Sequence, residues 1–151
     1  MARSKPKLQT PESATADDVE AAFYEALQSG NVEQLMALWV DEADIACIHP
    51  GGARLRGPVA IRASFEAMFA DGAGLKASVG HVNRLESVAS AVHHVLERIE
   101  VMTPQGPAFG YVIATNVYMK TAHGWRMVLH HASPGTEDAA LEVSEAPTVL
   151  H

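Results

Sequence analysis

The chain has one cysteine, Cys47, among 151 residues. No internal disulfide can brace it, and a reducing, cytoplasmic setting is the simplest expectation. Long apolar runs are also missing. A spanning helix needs roughly 18 such residues or more, so no membrane partner is expected. The opening stretch MARSKPKLQTPESA carries basic residues but lacks the apolar core of a secretion signal. Eleven Lys and Arg against 18 Asp and Glu leave a formal charge of -7. Nucleic acid, which requires a concentrated basic face, is therefore not expected as a partner. No glycine-rich phosphate loop occurs: HPGG at 49–52 fits neither a GxGxxG nor a Walker spacing and reads as a turn. Eight histidines are present, but none forms an HxxxH pair and Cys47 has no CxxC partner. The doublets His93-His94 and His130-His131 each splay to opposite faces of a strand. No cofactor and no metal site are expected, since one built from His49, His93 and His131 would need three separate strands to converge.

What is present is enough for one core. With 48% hydrophobic and 19% charged residues, the chain suits a single soluble domain. Residues 1–15, rich in Lys, Pro, Ser and Thr, read as an N-terminal tail. Residues 136–151, with Glu137, Asp138, Glu142 and Glu145 around Leu141 and Val143, read as an acidic C-terminal tail.

Between the tails, residues 16–135 begin with helices. Thr15 followed by Asp18 predicts a capped helix with Val19, Ala22, Phe23, Ala26 and Leu27 on its apolar stripe, stopped by Gly30. Asn31 with Gln34 predicts a second helix burying Leu35, Leu38 and Trp39. Gly57-Pro58 predicts a third, carrying Ile61, Phe65, Met68 and Phe69. IACIH, before it, reads as a short strand. After Gly74 the period becomes alternating, and Lys76–Glu86, Ala89–Met102, Phe109–Lys120 and Trp125–Ser133 read as strands joined by short polar breaks. Helices first and a strand meander after them predict an α+β domain, with helices on one face of a curved antiparallel sheet.

Alternation then assigns sides. In AVHHVLERIEV one face carries Ala91, His93, Val95, Glu97 and Ile99, so Glu97 stands where the pattern asks for Val. A buried carboxylate must find a donor or have its pKa raised. In the last strand, parity groups His131 and Ser133 with Trp125, Met127 and Leu129, and sends His130 to the side of Arg126. YVIATNVYMK is apolar on both faces, with Asn116 and Tyr118 beside Val112 and Ala114. A sheet apolar on both sides needs two covers, and a second copy of the chain supplies the one that helices do not.

The order helix, helix, short strand with HPGG, Gly-Pro helix, then four strands closing on ATNVYMKTAHGWRMVLHHASPG resembles the nuclear transport factor 2-like superfamily, in particular its SnoaL-like and DUF4440-type members. The resemblance implies a cone-shaped sheet wrapped around three helices, an apolar cavity, and dimers formed through the outer sheet. The positions that match the family's cavity are Trp39, His49, Glu97, Asn116, Tyr118 and His131. It further implies a small apolar ligand, with Trp39, His49, Asn116 and Tyr118 binding it and Glu97 or His131 as general base of a cofactor-independent isomerase, cyclase or hydrolase. The alternative is a non-catalytic dimerisation or ligand-sensing module. Aligned on ALQSGN, the aspartate base of the ketosteroid isomerases falls at Cys47 or His49 and their helix tyrosine at Phe23, so steroid isomerisation is not implied. The association domains of calcium/calmodulin-dependent kinases end in a similar Trp-to-His-x-Ser strand. Their pocket arginines match Glu97 and Asn116 here, so a preference for anionic ligands is not implied either.

Overall fold

The computed structural model describes residues 14–135. Both expected tails lie outside the described residues, apart from Ala14 and Thr15. Helix α1 (Ala16–Ser29) is closed at both ends by local chemistry. The Thr15 side chain accepts from the Asp18 backbone while the Asp18 carboxylate accepts from the Thr15 N–H, and Gly30 at φ 70° lets the chain leave the helix. One residue later the Asn31 side chain caps α2 (Val32–Ala37) through the Gln34 N–H. The chain then passes Trp39 and runs briefly beside the last strand, where Met127 donates to the Leu38 carbonyl and Val40 donates to that of Met127.

Strands β1 (Ala46–Ile48) and β2 (Arg54–Arg56) flank the HPGG turn, which is closed by a Gly52 N–H to His49 carbonyl bond. Gly57 at φ 86° then feeds Pro58, the first residue of α3 (Pro58–Met68). Strands β3 (Lys76–Glu86), β4 (Ser90–Thr103), β5 (Gly106–Thr121) and β6 (Gly124–Gly135) follow. The observed order β2-β1-β6-β5-β4-β3 is one six-stranded sheet, antiparallel throughout except where β1 lies parallel to β6. Fold class, helices and the four long strands match the sequence expectation. Strand β2 was not foreseen, because Arg-Leu-Arg is too short to show a period.

The helices pack on the inner, concave face. Phe23 meets Tyr24 and Phe65 edge to face, and together with Leu27, Leu35, Ile61 and Met127 they fill the layer between helices and sheet.

One irregularity decides which side chains reach that layer. Val117 pairs with Leu129 but Tyr118 pairs with Met127, leaving Val128 unpaired as a β-bulge. The extra residue reverses the alternation. Met127 points inward before it, and His130 and Ala132 point inward after it, whereas His131 is exposed on the outer face. The expectation that His131 faces the interior is therefore corrected: the doublet does splay, but with the opposite assignment.

Candidate polar site beneath the first helix

Seven buried polar side chains meet where α1 crosses β4, β5 and β6. On α1, Glu20 and Tyr24 are one helical turn apart and share a face, as residues four apart must. The β4–β5 register sets His93 opposite Asn116, and the β5–β6 register sets Asn116 opposite His130. Glu97 lies four residues beyond His93 on the same strand face, so all of them project toward α1.

The Tyr24 hydroxyl donates to Glu97 Oε2 at 2.6 Å. Asn116 Nδ2 donates to the same hydroxyl at 3.0 Å and to Glu20 Oε2 at 3.1 Å. Tyr118 also donates to Glu20 Oε2, at 2.8 Å. His130 Nδ1 stands 2.6 Å from Asn116 Oδ1. Since that amide oxygen can only accept, the pairing assigns the proton to Nδ1. The imidazole Nε2 is thereby left facing Glu97 Oε2 at 4.0 Å. Asn116 is the hub of the cluster: its amide group bonds the Glu20 carboxylate, the Tyr24 phenol and the His130 imidazole, and Glu97 joins through Tyr24. Placing such groups in a core without these bonds would cost about 1 to 3 kcal/mol each.

Burial sets the electrostatics. It pushes the Glu97 carboxyl up to about 7, against the opposing effect of the Tyr24 hydrogen bond and with a further rise from the Glu20 charge. It pushes His130 down to about 3, with the charges of His49 and His131 acting in the same direction. Tyr24 and Tyr118 lie well above the usual phenol range, mainly through burial. At neutral pH the arrangement thus holds a Glu97 carboxyl near its midpoint beside an imidazole that stays neutral, so of the two only Glu97 is poised to take up or release a proton there.

Of the six expected site residues, three come together: Glu97, Asn116 and Tyr118 are all in the cluster. Trp39 is buried against Met127 and lines a cleft between α2 and α3, away from Glu97. His49 is half-buried, with Nε2 3.0 Å from Ser64 Oγ, its ring edge-on to Phe65, and its pKa lowered by burial. His131 is outside. A convergence of His49, His93 and His131 does not form, because His131 and His93 occupy opposite faces of the sheet.

Sequence reasoning passed over Glu20, Tyr24 and His130. Glu20 and Tyr24 carried a readable signal: two polar-tipped residues at i and i+4 flank the apolar stripe of a short helix. His130 carried none, because nothing in WRMVLHH marks the bulge.

The family model of the SnoaL-like domain matches residues 17–137. The chain belongs to the SnoaL-like domain family. Solved structures agree with that membership. A protein from Thiobacillus denitrificans, provisionally described as a calcium/calmodulin-dependent protein kinase type II association domain, is 35% identical. The alignment covers 84% of this chain and all of that one, with a TM-score of 0.75. A protein from Streptomyces avermitilis, provisionally described as a dehydratase of the NTF2-like family, is 30% identical over 78% of this chain and 91% of that one, with a TM-score of 0.69. A Caulobacter vibrioides protein with a cystatin-like fold, 18% identical over 82% of this chain and 89% of that one at a TM-score of 0.67, shares the fold alone. No curated protein matches the chain. With one relative provisionally described as an association domain and another as a dehydratase, membership fixes the architecture and leaves the activity to the site. No helix among the described residues is long and apolar enough to cross a membrane.

Proposed function

We propose that this SnoaL-like chain is a self-associating module that pairs with a second copy of itself through the outer face of β4, β5 and β6. The observation that carries this reading is a sheet face, apolar on both sides of a row formed by His94, Thr115 and His131, that no described helix covers. Phe109, Ile113 and Met119 on β5 are 44%, 46% and 47% exposed, and the ladder sets Leu96 beside Ile113 and Val92 beside Val117 and Leu129. Exposed apolar strands in such a row mark an interface. The face also holds a cleft of about 530 Å3, floored by Val117, Met119, Val128 and Leu129 and rimmed by Asp44 and Lys120. The bulge supports this geometry by turning both Val128 and Leu129 toward the cleft. The similarity to a protein described as an association domain points the same way.

The inner layer, in contrast, is filled by Phe23, Tyr24, Leu27 and Phe65, and Glu97 is 4% exposed. A closed, mutually bonded cluster fits a core that fixes one packing arrangement.

Sedimentation velocity on the wild type and on Ile113→Glu tests the proposal. The wild type should sediment as a dimer and the variant as a monomer with an unchanged far-UV spectrum. A monomeric wild type, or a variant that stays dimeric, rejects it.

A second reading rests on the Glu97 carboxyl held up at about 7: the cluster is the polar anchor for a small apolar molecule that enters when α1 moves aside, with Glu97 as general acid or base. Its test is thermal shift with small apolar carbonyl and epoxide compounds on wild type and Glu97→Gln. Stabilisation of the wild type alone supports it, and equal shifts remove Glu97 from the site.

A further inference from the structure

We propose that Asp17, Glu86 and His93 form a binding site for one divalent first-row transition cation, of the Zn(II) or Co(II) kind, at the open rim where α1 begins and β3 ends. His93 is completely buried, yet neither of its ring nitrogens has an aligned hydrogen-bond partner. Buried imidazole nitrogens are rarely left this way. Its Nε2 points at two carboxylates and lies 3.5 Å from Glu86 Oε2 and 3.7 Å from Asp17 Oδ1, and the three candidate ligand atoms all fall within 4.8 Å of one another.

Those separations fit a metal better than they fit direct bonds. They are too long for a hydrogen bond, and they approach the roughly 3.4 Å edge of a tetrahedron whose metal–ligand arms are about 2.1 Å. One imidazole and two carboxylates make a nitrogen–oxygen donor set, which favours a borderline transition cation over an all-oxygen ion such as Mg(II) or Ca(II). The other ring nitrogen, Nδ1, is 3.1 Å from Glu20 Oε2. A small ring rotation would align it as a donor to that carboxylate, the outer-shell arrangement that orients metal-binding histidines. Glu20 is itself held by Tyr118 and Asn116, so the imidazole would be fixed from behind. Asp17 and Glu86 are exposed, and the remaining coordination position opens to water.

The site has a built-in competitor. Arg84, opposite His93 in the β3–β4 ladder, donates to Asp17 Oδ1 at 2.8 Å. Its charge and its hold on that oxygen both oppose a cation.

The experiment is titration of EDTA-treated full-length protein with Zn(II) by calorimetry, and with Co(II) by visible absorption. Wild type, Asp17→Asn, Glu86→Gln, Arg84→Gln and His94→Gln are compared, with far-UV spectra confirming that each is folded. Asp17 and Glu86 are surface positions, so these variants keep the core, and His94 is an exposed neighbour on the opposite sheet face. One equivalent is expected in the wild type, weaker by about tenfold or more in Asp17→Asn and Glu86→Gln, tighter in Arg84→Gln and unchanged in His94→Gln. Binding of much less than one equivalent overturns the proposal. So does one equivalent that Asp17→Asn and Glu86→Gln leave intact, which would place the metal on other histidines.

Discussion

Replacing Glu97 by Gln should make the protein more stable at pH 8 and leave it nearly unchanged at pH 4.5. The group's folded pKa is raised from 4.5 to about 7, so the folded state holds a proton that the unfolded chain has already lost between those pH values. Stability supplied by the neutral carboxyl is therefore full below the unfolded pKa and is lost as pH rises through the folded one. At about 1.4 kcal/mol per unit, the shift amounts to about 3 kcal/mol, the cost of ionising the carboxyl where Tyr24 is its one direct donor among the described residues. Glutamine keeps the acceptor for the Tyr24 hydroxyl and cannot ionise. For a chain of this size, about 3 kcal/mol corresponds to a melting shift of roughly 10 °C. The assay is the melting temperature of both proteins from pH 4 to 9 at one fixed protein concentration, since self-association makes melting concentration-dependent. The difference between the two curves is the quantity to read, because His130 contributes with the opposite sign. Its folded pKa, lowered to about 3, gives stability that is present above about 6.5 and lost toward acid, and both proteins share that contribution. Curves that run parallel across the range, or a variant less stable at pH 8, would refute the claim that Glu97 is buried and neutral.

Two further outcomes concern buried groups of the inner layer. Tyr24→Phe removes the donor to Glu97 and the acceptor for Asn116, which should cost about 2 to 3 kcal/mol in denaturant unfolding at pH 8. It should also move the pH step of the wild type further to the alkaline side, because that hydrogen bond holds the Glu97 pKa down; an unmoved step would show that the phenol does not control the carboxyl. Cys47 is fully buried with its thiol pushed up to about 12, chiefly by desolvation. It should react with a thiol reagent at pH 8 only after unfolding, and stoichiometric labelling of the native protein would contradict its placement.

Most of the fold was legible because its signals are local. Thr15 with Asp18, Asn31 with Gln34, and Gly57 before Pro58 each meet a need of the helix terminus beside them. The strand bounds follow from alternation, and parity correctly placed Glu97 because β4 and β5 pair without a break along its whole length. The same parity failed at His131 because a register slip is a property of two strands, and the partner of Val128 cannot be read from its neighbours. The site was half legible for a similar reason. Glu97 stood out as a charge in an apolar row, whereas Glu20 and Tyr24 looked like the polar margin of an amphipathic helix until the sheet beneath supplied their partners.

Strand β6 has a consequence for biosynthesis. It lies in the middle of the sheet, between β1 and β5, yet it is the last strand among the described residues to be made. Until residue 135 has cleared the ribosome, β1 and β5 have a gap between them and present unsatisfied edges, so the growing chain should lean on holdase chaperones and snap shut only after synthesis has passed that point.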